Sequence, residues 1–183
     1  VKSVIRNILV ADMIRNPNTI YEIRYDVDFE IETIVLPKDS ILYFEGGSFS
    51  NVTLEGNNTI IQAQNYEIFK NVQIHGTWNT SDFYVEWFGA KGDGVNDDTT
   101  SIQKALDVVL SVTLPFHITV HLSKTYRITD TLNVHAETTL KGNFVGSYMN
   151  YAKTQYKCIV ADFSNNKKWV IQSSNLKNTE YNK

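Results

Sequence analysis

A six-residue pattern occurs twice in this chain, twenty residues apart, and it limits the folds that the chain can adopt. The pattern is Asn-Val-x-Leu/Ile-x-Gly, present as NVTLEG at 51–56 and NVQIHG at 71–76. Short apolar pieces flanked by Gly, Asn or Ser surround it: ILYF (41–44), TII (59–61) and EIF (67–69), while TLEGN (53–57) returns as TLKGN (139–143). Such pieces indicate β-strands broken by turn residues. A repeat of about 20 residues is typical of a solenoid, whose successive turns stack.

Stacking of the two copies would place equivalent residues on neighbouring strands about 4.8 Å apart. We therefore predict that Val52 lies beside Val72 and Leu54 beside Ile74, in one inward-facing ladder. The Asn before and the Gly after each copy would mark corners, because both residue types tolerate positive φ. A β-sandwich of hairpins is the alternative. The repeat favours the solenoid, since no two-residue Asn-Gly or Asp-Gly hairpin turn separates the short strands.

An amphipathic helix is predicted after residue 98, because the period of the apolar residues changes there. Five apolar residues fall at i, i+3, i+4, i+7 and i+8 on one face of a helix of about three turns, namely Ile102, Ala105, Leu106, Val109 and Leu110. We expect Asp97 and Asp98 to cap this helix, where acidic residues also suit the positive end of its dipole. Thr100 and Gln103 have the spacing of a capping box and are the alternative.

The segment WFGAKGDGVNDDTT (87–100) holds closely spaced glycines and aspartates just before this helix. It is neither a Walker loop, since the Gly-Lys-Ser/Thr ending is missing, nor a dinucleotide fingerprint, since the glycine spacing is wrong. Calcium ligation by its acidic residues is a second interpretation, but the EF-hand ligand order is absent. We therefore predict no cofactor, metal or catalytic residue, with calcium as the alternative. A structural role is predicted for Gly89, Gly92, Asp93, Gly94, Asp97 and Asp98.

Residues 84–145 resemble the opening segment of the pectate-lyase superfamily, which includes polygalacturonase-like enzymes and phage tail spikes. The family pattern Phe-Gly-Ala-x-Gly-Asp-Gly-x-x-Asp-Asp is present from Phe88 to Asp98. The following ITVHLSKTYRITDTLNVHAETTLKG (118–142) resembles the strand, turn and Thr-Leu-x-Gly segment of that family, except that Lys124 stands where Gly is usual. The resemblance implies an all-β fold, the N-terminal portion of a right-handed parallel β-helix with one short capping α-helix.

Three parts of the chain are expected from the repeat and the resemblance together. Residues 1–17 read as an irregular or helical lead-in segment that ends near Pro17. Residues 18–83 are expected to form a β-helical N-terminal lead-in, similar to those found before this segment in bacterial surface proteins and tail spikes. Residues 84–183 are expected to start the pectate-lyase-like β-helix.

Catalytic residues are not predicted within this chain. Enzymes that share the resemblance hydrolyse or eliminate acidic polysaccharides, with clustered aspartates, or with calcium and Arg or Lys, on later turns. The acidic residues after residue 100 are isolated in the sequence, namely Asp107, Asp130, Glu137 and Asp162. His117 and His121 face the same way on one predicted strand, but at roughly 13 Å apart they are too distant to share a metal. His75 and His135 are single residues in strands, and an ordinary surface or packing role is expected for all four histidines.

Aromatic residues are concentrated just before the glycine-rich segment. They comprise Trp78, Phe83, Tyr84, Trp87 and Phe88. Aromatic rings stack on sugar faces, but they also fill cores and close the ends of solenoids. The core interpretation is favoured, and Trp78, Tyr84 and Trp87 are the candidate sugar contacts.

The composition excludes several classes of function. A net charge of −3 over 183 residues gives no electrostatic case for nucleic acid or an anionic membrane. The single cysteine, Cys158, excludes an internal disulfide and a CxxC-type zinc site, and we expect it to be a small buried hydrophobe. No segment approaches the roughly 20 apolar residues of a membrane span. The first apolar run is too short for a secretory signal, and we expect a piece of a longer protein.

Three functions remain open at this point. The favoured one is the N-terminal region of a phage tail-spike-like or receptor-binding β-helix protein, which attaches to surface polysaccharide and in full length depolymerises it. This protein would be a homotrimer, in contact with virion tail proteins, on a virion tail or a cell surface. A truncated secreted polysaccharide lyase or glycoside hydrolase is the second, and a non-catalytic structural or adhesive module is the third.

Overall fold

The computed structural model describes residues 2–115, 117–142, 159–163 and 170–173. These residues form β-strands and, within that part of the chain, a single α-helix, so the predicted all-β class with one short helix is confirmed. The strands are β1 (Ser3–Arg6), β2 (Thr19–Ile23), β3 (Val27–Val35), β4 (Ile41–Phe44), β5 (Phe49–Ala63), β6 (Phe69–Trp78), β7 (Asp82–Tyr84), β8 (Asp93–Asp97), β9 (Val112–Thr113), β10 (Ile118–Leu122), β11 (Thr125–Ile128), β12 (Leu132–Val134), β13 (Thr138–Gly142), β14 (Ile159–Ala161) and β15 (Ile171–Ser173). The helix is α1 (Thr99–Ser111), and 3-10 turns lie at Ala11–Met13 and Val85–Phe88.

Every strand pair among the described residues is parallel. The largest sheet has the order β1-β2-β4-β5-β6-β9, and β3 pairs with β5. Three smaller sheets have the orders β13-β10-β7, β14-β11-β8 and β12-β15. A sandwich of hairpins requires antiparallel pairs. The hairpin alternative is therefore wrong for the described part of the chain.

The predicted ladder between the two copies of the repeat is confirmed. Val52 pairs with Val72 and Leu54 with Ile74 in the register of β5 and β6. Val52, Leu54 and Ile74 are 3%, 0% and 5% exposed, and Val72 is half-buried. Both copies therefore present their apolar positions to one core.

Left-handed backbone occurs at both Asn positions of the repeat and at the second Gly, whereas the first Gly, Gly56, does not have positive φ. Asn51 and Asn71 have φ of 52° and 55°, and the Asn71 side-chain amide donates to Asn51 Oδ1 at 2.8 Å. Gly76 has φ of 81°, and a Cβ there would collide with the backbone of Gly56. A Cβ at Gly56 would lie 2.5 Å from the ring of Trp78. Close backbone approach therefore explains why the pattern ends in glycine.

Two segments differ from the expectations. The predicted strands at 51–56 and 59–61 form one continuous strand, β5, because Asn58 turns the chain at φ of 54° while the pairing with β6 resumes after it. The sequence predicts an irregular or helical lead-in for residues 1–17, and this is wrong at Ser3–Arg6. These residues form strand β1, which pairs with β2 so that Ser3 lies opposite Thr19. The domain limits near residues 17 and 83 stay predictions.

A row of aromatic rings runs through the core between the sheets. Phe29 and Phe49 meet edge to face at a centroid distance of 4.9 Å. The row continues from Phe49 to Phe44 at 5.1 Å, to Phe69 at 5.7 Å and to Phe88 at 5.7 Å. These rings belong to one cluster of buried residues that extends from Ile8 to Leu132. The residues before and after the glycine-rich segment therefore share a core.

Helix α1 begins at Thr99 as the apolar period predicts, but its buried face is displaced. Ile102, Ala105 and Leu106 are fully buried, and Val108 is 3% exposed. Leu110 is 67% exposed, so the expectation that it lies on the buried stripe is wrong. The chain passes from α1 into β9 at Val112, and the last turn packs at the rim of the core. No helix in the described ranges is long and apolar enough to cross a membrane.

Candidate functional site

The glycine-rich segment folds around the carboxylate of Asp98, which is 1% exposed. Asp98 stands at the N-cap position of α1, but its side chain makes no capping hydrogen bond. It accepts instead from the backbone N–H groups of Lys91 at 2.7 Å and Gly92 at 3.1 Å. The predicted helix cap is therefore wrong for Asp98, because the carboxylate turns back to close the loop before the helix.

The neighbouring Asp97 accepts hydrogen bonds from the first residue of α1 and from the residue that follows β11. Its Oδ1 accepts from the N–H of Thr99 at 3.0 Å, and its Oδ2 accepts from the Thr129 hydroxyl at 2.6 Å. The capping-box alternative is wrong, since the Gln103 side chain donates to Asp107 at 2.7 Å and to the Asn133 carbonyl at 3.0 Å. Asp97 therefore ties the start of α1 to the end of β11.

The rest of the segment is a tight loop whose acceptors are occupied by its own backbone. Asp93 Oδ1 accepts from the N–H groups of Val95 and Asn96, both at 2.8 Å, which lowers the pKa of Asp93. Gly89, Gly92 and Gly94 have φ of 96°, 63° and 72°. Within the described ranges, no group of three or more His, Cys, Asp or Glu residues could hold a metal ion. That this segment binds no calcium stays a prediction.

A buried carboxylate lies beneath this loop. Glu86 is 1% exposed, and its Oε1 accepts from the Tyr126 hydroxyl at 2.6 Å and from the Ser123 hydroxyl. Its Oε2 has no hydrogen-bond partner among the described residues. Burial and the neighbouring Glu86 raise the pKa of Tyr126 well above its usual range. These contacts fasten the 3-10 turn before the loop to the turn between β10 and β11.

Lys124, where the family usually has Gly, packs over the same loop. A Cβ at Gly92 would lie 2.7 Å from Lys124 Cβ and 2.9 Å from Tyr126 Cε1. The Lys124 ammonium stands 3.9 Å from Glu86 Oε1. The lysine stem therefore occupies space that the missing side chain of Gly92 leaves open, so this departure from the family pattern is accommodated.

Two of the isolated acids after residue 100, Asp107 and Asp162, are bound to basic side chains. Asp107 Oδ1 lies 2.7 Å from His135 Nε2, and Asp162 accepts from the Arg127 guanidinium at 2.7 Å and 3.0 Å. Glu137 is exposed, with φ of 63°. Cys158 lies outside the described residues. These contacts serve to join strands and the helix.

A different set of polar residues comes together on the outward face of the β13-β10-β7 sheet. The strands alternate, with Phe83, Val120 and Leu140 in register on the inner face. The outward face carries three neighbouring pairs, which we call the polar face: Asp82 and Tyr84 on β7, Thr119 and His121 on β10, and Thr139 and Lys141 on β13. Parallel register therefore brings together residues that are up to about 60 positions apart in the sequence.

Short contacts order the centre of the polar face. The rings of Tyr84 and His121 stack at a centroid distance of 4.7 Å and an interplanar angle of 16°. His121 Nε2 lies 2.6 Å from Asp82 Oδ1, and the Ser81 hydroxyl donates to Asp82 Oδ2 at 2.5 Å. The hydrogen bonds from Ser81 and His121, with Lys141 nearby, lower the pKa of Asp82. An anionic carboxylate thus fixes the imidazole against the tyrosine ring.

Two adjoining cavities lie beside the polar face and share lining residues, so we treat them as the two halves of one groove across the strands. Its first half, the Tyr84 half, has a volume of about 370 Å³ and is lined by Gln62, Asn79, Asp82, Tyr84 and Trp87, among others. The second half, the Tyr43 half, has a volume of about 610 Å³ and includes Tyr43, Glu45, Gln62, Gln64 and Tyr66 in its lining. Gln62 and Ala63 line both halves. We refer to the two halves together as the long groove.

The three candidate sugar contacts have different environments. Trp78 is 1% exposed and its indole N–H donates to the His75 carbonyl at 2.6 Å, so it is a core residue. Trp87 is 2% exposed, with its N–H on the Gln64 carbonyl at 3.0 Å, and contributes to the floor of the Tyr84 half. Tyr84 is half-buried on the groove wall, and it alone among the three offers ring surface.

Apart from Tyr84, the residues of the polar face cannot be recognised as a group from the sequence. The alternation in ITVHL indicates that Thr119 and His121 share one side of a strand, opposite the buried Ile118 and Val120. It does not reveal that β7 and β13 flank that strand. His117, which the same alternation places with His121, is exposed and outside β10.

Comparison with known proteins gives one family and no individual relative. Neither the curated proteins nor the solved structures contain a match to this chain. The model of a family described as rhamnogalacturonase A/epimerase, pectate lyase-like, matches residues 83–182, which is more than half of the 183 residues. The match covers β7, the glycine-rich loop, α1 and the strands that follow. The chain therefore belongs to the rhamnogalacturonase A/epimerase, pectate lyase-like family.

Proposed function

We propose that this chain is the N-terminal portion of a right-handed parallel β-helix protein that attaches to polysaccharide through its polar face and long groove. Family membership supports the link to polysaccharide. The solenoid is supported by parallel pairing between residues about 20 positions apart, as between Ile41 and Ile60 or Phe49 and Phe69. Handedness and closure of the turns follow from the resemblance to the superfamily.

The stacked pair of Tyr84 and His121 is the observation that carries this proposal. A sugar presents an apolar ring face and a rim of hydroxyl groups, and amphipathic aromatic rings suit such ligands. Tyr84 supplies the ring at the groove wall, and Asp82 and Lys141 supply acceptor and donor groups on either side. The contacts from Asp82 and Ser81 hold this arrangement before a ligand arrives, which reduces the entropy lost on binding.

Within this function, a tail-spike-like or receptor-binding protein is the form that we favour. The strands before the family match share their core with the residues inside it, as expected for a β-helical lead-in. The protein would act as a homotrimer beside virion tail proteins, on a virion tail or at a cell surface.

A polysaccharide lyase or glycoside hydrolase is the second candidate. The description of the family names a rhamnogalacturonase and an epimerase, which favours an enzyme. Inverting hydrolysis needs two carboxyl groups about 6.5–9.5 Å apart, and retaining hydrolysis needs them about 5–5.5 Å apart. Asp107 and Asp162 are instead each bound to a basic side chain. For this chain alone we expect attachment without cleavage.

The test is a glycan-binding measurement with the whole chain, followed by an assay of reducing ends and unsaturated products. Tyr84→Ala and His121→Ala should each reduce binding, whereas Tyr25→Ala should not. Tyr25 is a matched control, since it is 57% exposed and does not line the long groove. Equal binding by all three variants would contradict the proposed surface. Turnover that is lost on changing Asp107 or Asp162 would favour the enzyme.

A further inference from the structure

We infer that the long groove accommodates a linear, electrically neutral polysaccharide chain that lies across the parallel strands. This inference rests on the proposed polysaccharide attachment, and it adds the charge class of the sugar and the direction of its chain. The residues that carry it lie mainly before residue 83, outside the segment that matches the family.

The two halves of the long groove adjoin at Gln62 and Ala63, which line both of them. Tyr43 on β4 and Gln62 on β5 are register partners. The N–H of Asn79 donates to the Thr59 carbonyl at 2.7 Å, and the Thr80 hydroxyl accepts from the N–H of Ile61 at 2.8 Å. These bonds place the start of β7 at the level after β5. The lining residues span three levels, from β4 through β5 to β7, which is about 10 Å at about 4.8 Å each and suits two or more successive sugars of an extended chain.

Aromatic rings provide apolar surface at both ends of the long groove. Tyr43 is 37% exposed and is the one exposed residue of β4, whose other residues are buried. Tyr66 is held by its hydroxyl, which accepts from the N–H of Gly46 at 2.7 Å and donates to the Gly47 carbonyl at 3.2 Å. Together with Tyr84 at the other end, these rings form two separate stacking positions for one chain.

Between the aromatic positions, the groove offers neutral hydrogen-bonding groups. The side-chain amides of Gln62 and Gln64 are exposed, and neither makes a hydrogen bond within the described residues. An amide donates and accepts at once, so it pairs with a sugar hydroxyl in either orientation. These amides lie where the middle of the chain would pass.

The charges that line the long groove disfavour an acidic sugar. Two acids, Glu45 and Asp82, line it, and no Lys, Arg or His is among its described lining residues. Both acids already have partners, since Glu45 lies 2.8 Å from the Arg24 guanidinium and Asp82 binds His121. Lys141, on the polar face, lies two strands away from β7 and does not line the groove. A uronate carboxylate inside the groove would therefore meet like charge without a basic lining residue, which costs binding free energy. A neutral sugar avoids this cost.

The first experiment compares charge classes by calorimetry with the whole chain at physiological salt. The probes are hexasaccharides of β-1,4-glucan, α-1,4-glucan and β-1,4-mannan, and a hexamer of galacturonate. We expect at least one neutral hexasaccharide to bind and the galacturonate hexamer to bind at least tenfold more weakly. Stronger binding of the galacturonate hexamer, or no binding of any neutral probe, overturns the inference. If Tyr84→Ala abolishes binding of the galacturonate hexamer, the proposed attachment stands while the neutral class fails.

The second experiment tests the length of the site with variants. Tyr43→Ala should weaken the binding of the neutral hexasaccharide about tenfold and leave the binding of the matching disaccharide unchanged. Tyr84→Ala should weaken the binding of both. Gln62→Ala, at the junction of the two halves, should also weaken the binding of the hexasaccharide. Tyr25→Ala should leave the binding of both sugars unchanged. Melting temperatures of all variants verify folding. Unchanged hexasaccharide affinity in both Tyr43→Ala and Gln62→Ala would show that the chain does not extend into the Tyr43 half.

Discussion

The repeat region, residues 49–78, and the loop region, residues 86–98, reach a defined structure in different ways. In the repeat region, apolar residues such as Leu54 and Ile74 stack on equivalent residues of the neighbouring strand. In the loop region, order depends on the carboxylates of Glu86 and Asp98. Glu86 accepts a hydrogen bond from the side chain of Tyr126, 40 residues away, and Asp98 accepts from two backbone N–H groups of the loop. The first region is therefore sensitive to the volume of its side chains, and the second to single polar atoms.

The largest effect is expected from a cavity in the repeat region. Ile74→Ala should lower the free energy of unfolding by about 2–5 kcal/mol, because a buried side chain is removed from the ladder with Leu54. Urea denaturation measures this change. Val72→Ala is the matched control, since Val72 is half-buried and should cost less. Equal costs at both positions would contradict the difference in burial.

A smaller effect is expected from Asp98 in the loop region. Asp98→Ala should cost about 1–3 kcal/mol, because the N–H groups of Lys91 and Gly92 lose their acceptor. Hydrogen exchange at those two amides should rise more than exchange at the first amides of α1. Faster exchange confined to the helix would instead show that Asp98 acts as a cap, as the sequence predicts.

The effect of Asp97 should be smaller again, because its carboxylate is more exposed than that of Asp98. Asp97→Ala should cost on the order of 0.5–2 kcal/mol, since one helix N–H and the Thr129 hydroxyl lose their acceptor. Melting temperatures measured with EDTA and with added calcium should agree for the unmodified chain. A clear rise with calcium that disappears in Asp97→Ala would establish a cation site here.

The smallest effect concerns pH and Asp82, which lies outside both regions. The pKa of Asp82 is lowered in the folded chain, chiefly by Ser81 and His121, so its contribution to stability is present above the unfolded pKa of about 3.9. That contribution is lost as the pH falls through the folded pKa, below about pH 4. Because Asp82 is half exposed, it amounts to less than about 1 kcal/mol. Asp82→Asn should remove it, and identical pH profiles of stability for the two chains would contradict the contacts of Asp82 with Ser81 and His121.

The sequence predicts the repeat region in detail because one rule, the spacing of equivalent residues, determines both the pairing and the burial. The register of Val52 with Val72 needs no information beyond the two copies of the pattern. The sequence also predicts the start of α1, where the spacing of the apolar residues changes. The buried position of Val108 in place of Leu110 was not predictable, because it depends on where the helix meets the core.

The loop region and the candidate site are less predictable for a physical reason. The partner of Asp98 is chosen by the path of the loop, and a carboxylate at an N-cap position has local alternatives of similar energy. The polar face joins β7, β10 and β13, whose separations along the chain differ: Tyr84 and His121 are 37 residues apart, and His121 and Lys141 are 20 apart. No fixed period therefore connects Asp82 with His121 or Lys141.

The even spacing of β2, β4, β5 and β6 also bears on how this part of the chain folds during synthesis. Strands β4, β5 and β6 each pair with a strand about 20 residues upstream, as Ile41 does with Ile20, so the entropy of loop closure is nearly the same at each of these steps. Ribosomes add about 5–20 residues per second, so a new strand emerges roughly every 1–4 s beside a completed template. Strands β2, β4, β5 and β6 can therefore assemble in order from the N-terminal side, whereas the pairing of β7 with β10 must wait until the whole of α1 has been added.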